Sequence, residues 1–102
     1  MSVGPTIKDL RIRKQMKQLE LSAKSGVSQN YLSQIEHGKQ PKFATLQRLS
    51  KALEVPPEVI TFLSMDYKDI PDNKKEAYRH IEPTIKAMIT EFFIHDKINS
   101  TP

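Results

Sequence analysis

Apolar residues recur along most of this chain at intervals of three and four, the spacing of one helical face, and nowhere in the alternation of a strand. Ile7 and Leu10, with Lys14, mark one face of a first helix ending near Met16. Thr6 followed by Asp9 predicts a capping box with a shorter acid at its start. From Gln18 to Gly38 the chain reads as two short helices around a tight turn. Leu21 and Ser22 lie on the first, Gly26 in the turn, and Val27, Leu32 and Ile35 are the apolar posts of the second. The small Ser22 lets the two axes approach, and Gly26 supplies a backbone conformation that a residue with a Cβ resists. Ser28 is a good N-cap, which places Gln29 and Asn30 in the first turn of the second helix.

Gly38 ends that helix, and the polar, proline-broken link Lys39-Gln40-Pro41-Lys42 follows. Phe43, Leu46, Leu49, Ala52 and Leu53 predict a fourth helix lying over the motif. Pro56-Pro57 opens a short fifth containing Val59, Ile60, Phe62 and Leu63. The acidic stretch Ser64 to Asn73, with Pro71, predicts a linker or a change of direction. Lys74 to Ile94 is helical in composition but contains Pro83, which is tolerated at the start of a helix and clashes inside one. The expectation is therefore a short helix near 73–81 and a second from about Pro83 to Phe93. Ile85, Met88, Ile89, Phe92 and Phe93 form a stripe on that second helix. The end, Asn99 to Pro102, should fray. The fold class is all-α: a five-helix domain over 1–65 and a helical tail over 66–102.

Charge sharpens this picture. The chain of 102 residues carries +4, and residues 1–63 hold ten Lys or Arg against five Asp or Glu, whereas 64–102 hold six against seven. The basic excess thus lies with the two-helix motif, as an electrostatic footprint for phosphate requires. A helix start bearing amides is also the end that such a motif pushes into the major groove. These features argue for sequence-specific DNA binding and against catalysis. There is no Cys, which excludes disulfides and thiolate metal sites. His37, His80 and His95 share no metal-ligand spacing, and His37 fits a structural place at a helix end. Glu20, Glu54, Glu58 and Asp66 suggest no acid–base pair, and three Gly make no phosphate-cradling loop. No metal, cofactor or enzymatic activity is expected. The first residues lack the apolar run of a signal peptide, and no segment approaches the length of a membrane span, so a soluble, cytoplasmic protein is expected.

Residues 6–63 resemble the five-helix, lambda-repressor-like DNA-binding domain of the phage repressor and Cro family, the Xre family. The resemblance rests on Ile7, Leu10 and Arg11; Gln18, Leu21 and Ser22; Gly26-Val27-Ser28; Tyr31 through Gly38; and Lys51-Ala52-Leu53 followed by Val55. It implies a transcriptional regulator, a repressor, that inserts helix 29–36 into the major groove. Gln29, Asn30, Ser33 and Gln34 then fall where the family touches base edges. Amides can present a paired donor and acceptor to adenine, so at least one A·T pair is expected in the half-site. Gln18 matches a glutamine that bonds a phosphate and braces the recognition helix, and Lys39 and Lys42 match a backbone-contacting loop. Arg11 and Glu36 match an internal ion pair between the first and third helices.

The chain departs from the family pattern at Lys17 and Lys42, where a Ser, Thr or Asn cap is usual. Lysine cannot accept the free N–H groups of a helix start and opposes its dipole, so both positions are expected to exchange folding stability for phosphate attraction. Ile12 and Leu19 lie off the apolar faces, as scattered exposed residues or as part of a docking patch. The tail stripe, with Ile81 and Tyr78, either packs on the core or pairs two copies; a homodimer on a palindromic operator is favoured, because one such module contacts few base pairs. The alternative is an antitoxin or a restriction-modification controller whose C-terminal helices bind a partner protein.

Overall fold

The computed structural model describes residues 2–94, and all regular structure among them is helical. His95 and the expected frayed end lie outside the described residues. The chain divides into two compact units, Ser2–Ser64 and a second beginning at Met65.

In the first unit α1 spans Gly4–Arg13, α2 Gln18–Ser25, α3 Gln29–Glu36, α4 Phe43–Leu53 and α5 Pro57–Ser64. α1 packs on α3, α4 and α5, while α2 packs on α3 and α4. Ile7, Leu10, Leu21, Val27, Leu32, Ile35, Leu46, Leu49, Leu53, Val55 and Ile60 are buried and form one core. Burying each such aliphatic side chain contributes roughly 1.5–3 kcal/mol.

α1 begins earlier than its capping pattern predicts. Val3 occupies the N-cap without a side-chain bond, and Pro5, which has no N–H to leave unpaired, sits in the first turn. Thr6 therefore lies inside the helix, where its hydroxyl pairs with that of Ser64 at 2.8 Å, and Asp9 pairs with Arg13 one turn on. The helix also stops at Arg13, short of Met16. Gln15 turns to φ +59°, and the Met16 N–H returns to the Arg11 carbonyl at 3.0 Å.

Gly26 takes φ +75° and closes α2, the left-handed conformation that a Cβ disfavours. Two hydroxyls then tie the turn: Ser22 Oγ donates to the Val27 carbonyl at 2.5 Å, and the Val27 N–H donates to Ser25 Oγ at 3.2 Å. Ser28 caps α3 by accepting the Tyr31 N–H at 3.1 Å. On α4 the expected core row keeps Leu46, Leu49 and Leu53 buried, while Ala52 is half-buried. Phe43 is exposed, because helical side chains lean toward the N-terminus and its position in the first turn carries it past the end of the core.

In the second unit Asp66 caps a single turn at Tyr67–Asp69, another turn follows at Asp72–Lys74, and α6 runs Lys75–Ile94. Pro83 does not divide α6, contrary to the expected break. Tyr78 and Lys86, on either side of the proline, both donate to the Met65 carbonyl, and Lys86 also pairs with Glu82 at 3.4 Å. These ties bridge the two halves across the proline. Arg79, whose carbonyl loses its helical partner, is exposed to water. No α6 residue is fully buried: Ile81, Ile85, Met88 and Phe92 form an exposed row, and Ile89 and Phe93 are half-buried. Among the described residues no helix is long and apolar enough to cross a membrane.

Candidate nucleic-acid interface

The exposed side of α3 follows from which of its residues the core claims. Leu32, Ile35 and Glu36 turn inward, which leaves Gln29, Asn30 and Gln34 exposed and Ser33 half-buried beside them. Gln29 and Asn30 occupy the first turn and Gln34 the next, so three amides share the outer part of one short helix. Amides on such a face offer donors and acceptors at the spacing of base edges.

Exposed lysines stand on the segments that flank α3 in the sequence. Lys17 and Lys42 stand at the N-caps of α2 and α4 in extended conformation, and neither helix start receives a side-chain cap. Their free main-chain N–H groups and ammonium heads can serve a phosphate together. Lys39, also exposed, follows the Gly38 turn. An open groove of about 500 Å³ is lined by Asn30, Tyr31, Gln34, Lys39, Lys42 and Thr45, with Ser28 at its edge, and no carboxylate lines it.

α3 is held from behind. Arg11 donates to Glu36 through Nε at 2.7 Å and Nη2 at 3.0 Å, and its Nη1 donates to the Met16 carbonyl at 2.9 Å. Gln18 Nε2 donates to Glu36 Oε1 at 3.2 Å. Gln18 thus braces α3, leaving its second amide hydrogen and its main-chain N–H for other partners. α3 ends in a closed turn: Gly38 has φ +118°, its N–H bonds the Ile35 carbonyl at 2.9 Å, and the Lys39 N–H bonds the Gln34 carbonyl at 3.0 Å. His37 Nδ1 lies 2.7 Å from the Ser33 carbonyl, which can only accept, so that nitrogen carries the proton.

The helix-turn-helix family profile matches residues 7–60, more than half of the chain and all five helices of the first unit except the ends. The chain belongs to the helix-turn-helix family. It is similar to a protein of Sinorhizobium fredii named as an uncharacterized HTH-type transcriptional regulator, y4dJ. The two are 44% identical over 54 residues, which cover 52% of this chain and 70% of that protein. No solved structure matches it.

Within this helix-turn-helix unit, three features of the site escape a reading of the sequence. Tyr31 and Thr45 line the groove, although as a half-buried helix residue and an early α4 residue they carry no distinguishing pattern. Lys39 reaches back to α3, with Nζ 3.1 Å from Gln34 Oε1 and 5.4 Å from the centre of the Tyr31 ring. Gly4 touches α3 from the far side: a Cβ there would lie 1.8 Å from the Ile35 carbonyl oxygen. The signal for Lys39 was its distance of five residues from Gln34 across a helix-closing glycine. No comparable signal marks Gly4.

Proposed function

We propose that this chain is a sequence-specific DNA-binding transcriptional regulator, acting as a repressor, that lays α3 in the major groove. The observation that carries this reading is the exposed amide set Gln29, Asn30 and Gln34 on α3, two of which, Asn30 and Gln34, share a groove with Lys39 and Lys42. Amides can distinguish base edges, whereas lysines at uncapped helix starts hold phosphates without reading sequence. Membership of the helix-turn-helix family and the printed name of the S. fredii relative support the same reading.

Selection of bound duplexes from a randomised pool, at a fixed salt concentration, tests it. An enriched motif that loses a position in Gln29→Ala or Asn30→Ala supports base reading by α3. Binding of all duplexes alike, with no motif, overturns it.

The operator is a palindrome bound by a homodimer. Ile81, Ile85, Met88 and Phe92 support this assignment: they leave an apolar row exposed along α6, and two-fold pairing is the commonest arrangement of soluble oligomers. Paired modules of this kind dock about 34–36 Å apart, one helical turn of DNA. Sedimentation of the full chain, with and without the double variant Ile85→Glu/Met88→Glu, tests the pairing. A wild-type chain that sediments as a monomer at high micromolar concentration would transfer the row to a protein partner, as in an antitoxin.

A further inference from the structure

Gln34 is the one base-facing amide whose chemistry is already committed in the described structure. Its neighbour Lys39 Nζ lies 3.1 Å away. An ammonium group has three donors and no acceptor, so the Gln34 atom that faces it is the carbonyl oxygen. Lys39 is anchored at both ends: its main-chain N–H bonds the main-chain carbonyl of Gln34 at 3.0 Å, and its ammonium head sits 5.4 Å from the centre of the Tyr31 ring. No carboxylate lines the groove to draw it away.

We infer that Lys39 positions the specificity of Gln34, holding its oxygen so that the amide meets the groove as a donor only, matched to a guanine edge. A glutamine with both functions free suits adenine, which offers an acceptor at N7 and a donor at N6. Guanine offers acceptors at both N7 and O6, and cytosine offers only a donor. With a cation seated on its oxygen, the positive end of a base donor is repelled from that side, Gln34 offers its two N–H donors, and guanine is the base that can take both. A chain without Arg or Lys in its recognition helix thereby acquires a guanine contact, by coupling an amide to a cation outside that helix. This inference rests on the DNA-reading function proposed above.

The test is duplex selection from a randomised pool with the full chain as wild type, Gln34→Ala and Lys39→Met, all at one salt concentration. Gln34→Ala identifies the base pair it reads by making that position degenerate. At that position the wild type selects guanine, and Lys39→Met shifts the guanine-to-adenine ratio toward adenine by about tenfold, the scale of one good amide pair. Loss of the lysine charge also weakens binding, but equally for every sequence, and so cannot move the ratio. Weaker binding of K39M with an unchanged ratio would overturn the inference and leave Lys39 a phosphate contact alone. A wild type that selects adenine there would overturn it too. Absence of any enriched motif for the wild type is a different failure, because it removes the DNA-reading function itself and this inference with it.

Discussion

Arg11 and Glu36 face each other in a two-bond pair, 2.7 and 3.0 Å, with side chains only 11% and 2% exposed. The pair joins α1 to the last residue of α3, and Gln18 adds a third bond to the same carboxylate.

Breaking this pair from one side leaves a desolvated charge, whereas removing both partners does not. Arg11→Met or Glu36→Leu should each lower stability by about 3–5 kcal/mol. The double variant should recover much of that loss, because two apolar side chains need no compensation. Urea unfolding of the three variants checks the ordering. If the double variant loses the sum of the two singles, the two side chains are uncoupled and the desolvated-charge account fails.

Gly4 meets α3 at a point where no side chain fits. An added Cβ would lie 1.8 Å from the Ile35 oxygen and 2.9 Å from its carbon, both backbone atoms that cannot swing aside. Helix propensity alone would favour alanine at this position by at most about 1 kcal/mol. Overpacking costs typically about 1–3 kcal/mol and should win. Gly4→Ala is therefore expected to lower the melting temperature. It should also weaken DNA binding beyond the stability loss, because the Ile35 carbonyl accepts the Gly38 N–H that closes α3. A melting temperature at or above wild type would show that α1 shifts freely.

Much of the five-helix unit was legible because its core is written at helical spacing. Ile7, Leu10, Leu21, Leu32, Ile35, Leu46, Leu49 and Leu53 each lie on a face that periodicity identifies. Ser28 and Gly26 mark the turn by local chemistry. What periodicity cannot convey is demand made by a distant partner. Gly4 looks like an ordinary leading glycine until the carbonyl of Ile35, far along the chain, is brought against it. Pro83 is a breaker by local rules and is overruled by two bonds to Met65 from opposite sides. At the interface, the exposed amides follow from the same periodicity as the core. The Lys39–Gln34 bond does not, because it depends on the path taken after Gly38.

Three helices close with the same returning bond, and of these three only α3 has glycine where the chain turns left-handed. Met16 returns to Arg11, Lys39 to Gln34 and Val55 to Ser50, around Gln15 at φ +59°, Gly38 and Glu54 at φ +60°. A side chain in that conformation carries strain that glycine avoids. Gln15→Gly and Glu54→Gly are each expected to raise stability by about 0.5–1 kcal/mol, less than the full strain because glycine also loosens the unfolded chain. The two sites share no described contact, so their effects should add within about 0.5 kcal/mol. Thermal unfolding of the singles and the double measures this, and a loss of stability in either single would mean that its side chain makes a compensating contact.

Lys17 and Lys42 stand where a helix start wants an acceptor, and neither makes a cap bond. A lysine there leaves the first N–H groups unpaired and puts positive charge at the positive end of the helix dipole. Lys17→Ser supplies the missing acceptor and should add about 1 kcal/mol, or about 4–8 °C in melting temperature for a domain of this size. If the lysine serves a phosphate, the same variant should bind DNA more weakly at low salt. The slope of log affinity against log salt should then become shallower by about 0.9, the value for one phosphate contact on a duplex. Lys42→Ser should repeat both effects at the start of α4. A rise in melting temperature with an unchanged slope would separate the two roles, leaving the lysine a poor cap with no phosphate. Stability and slope both unchanged would remove the trade between folding and binding altogether.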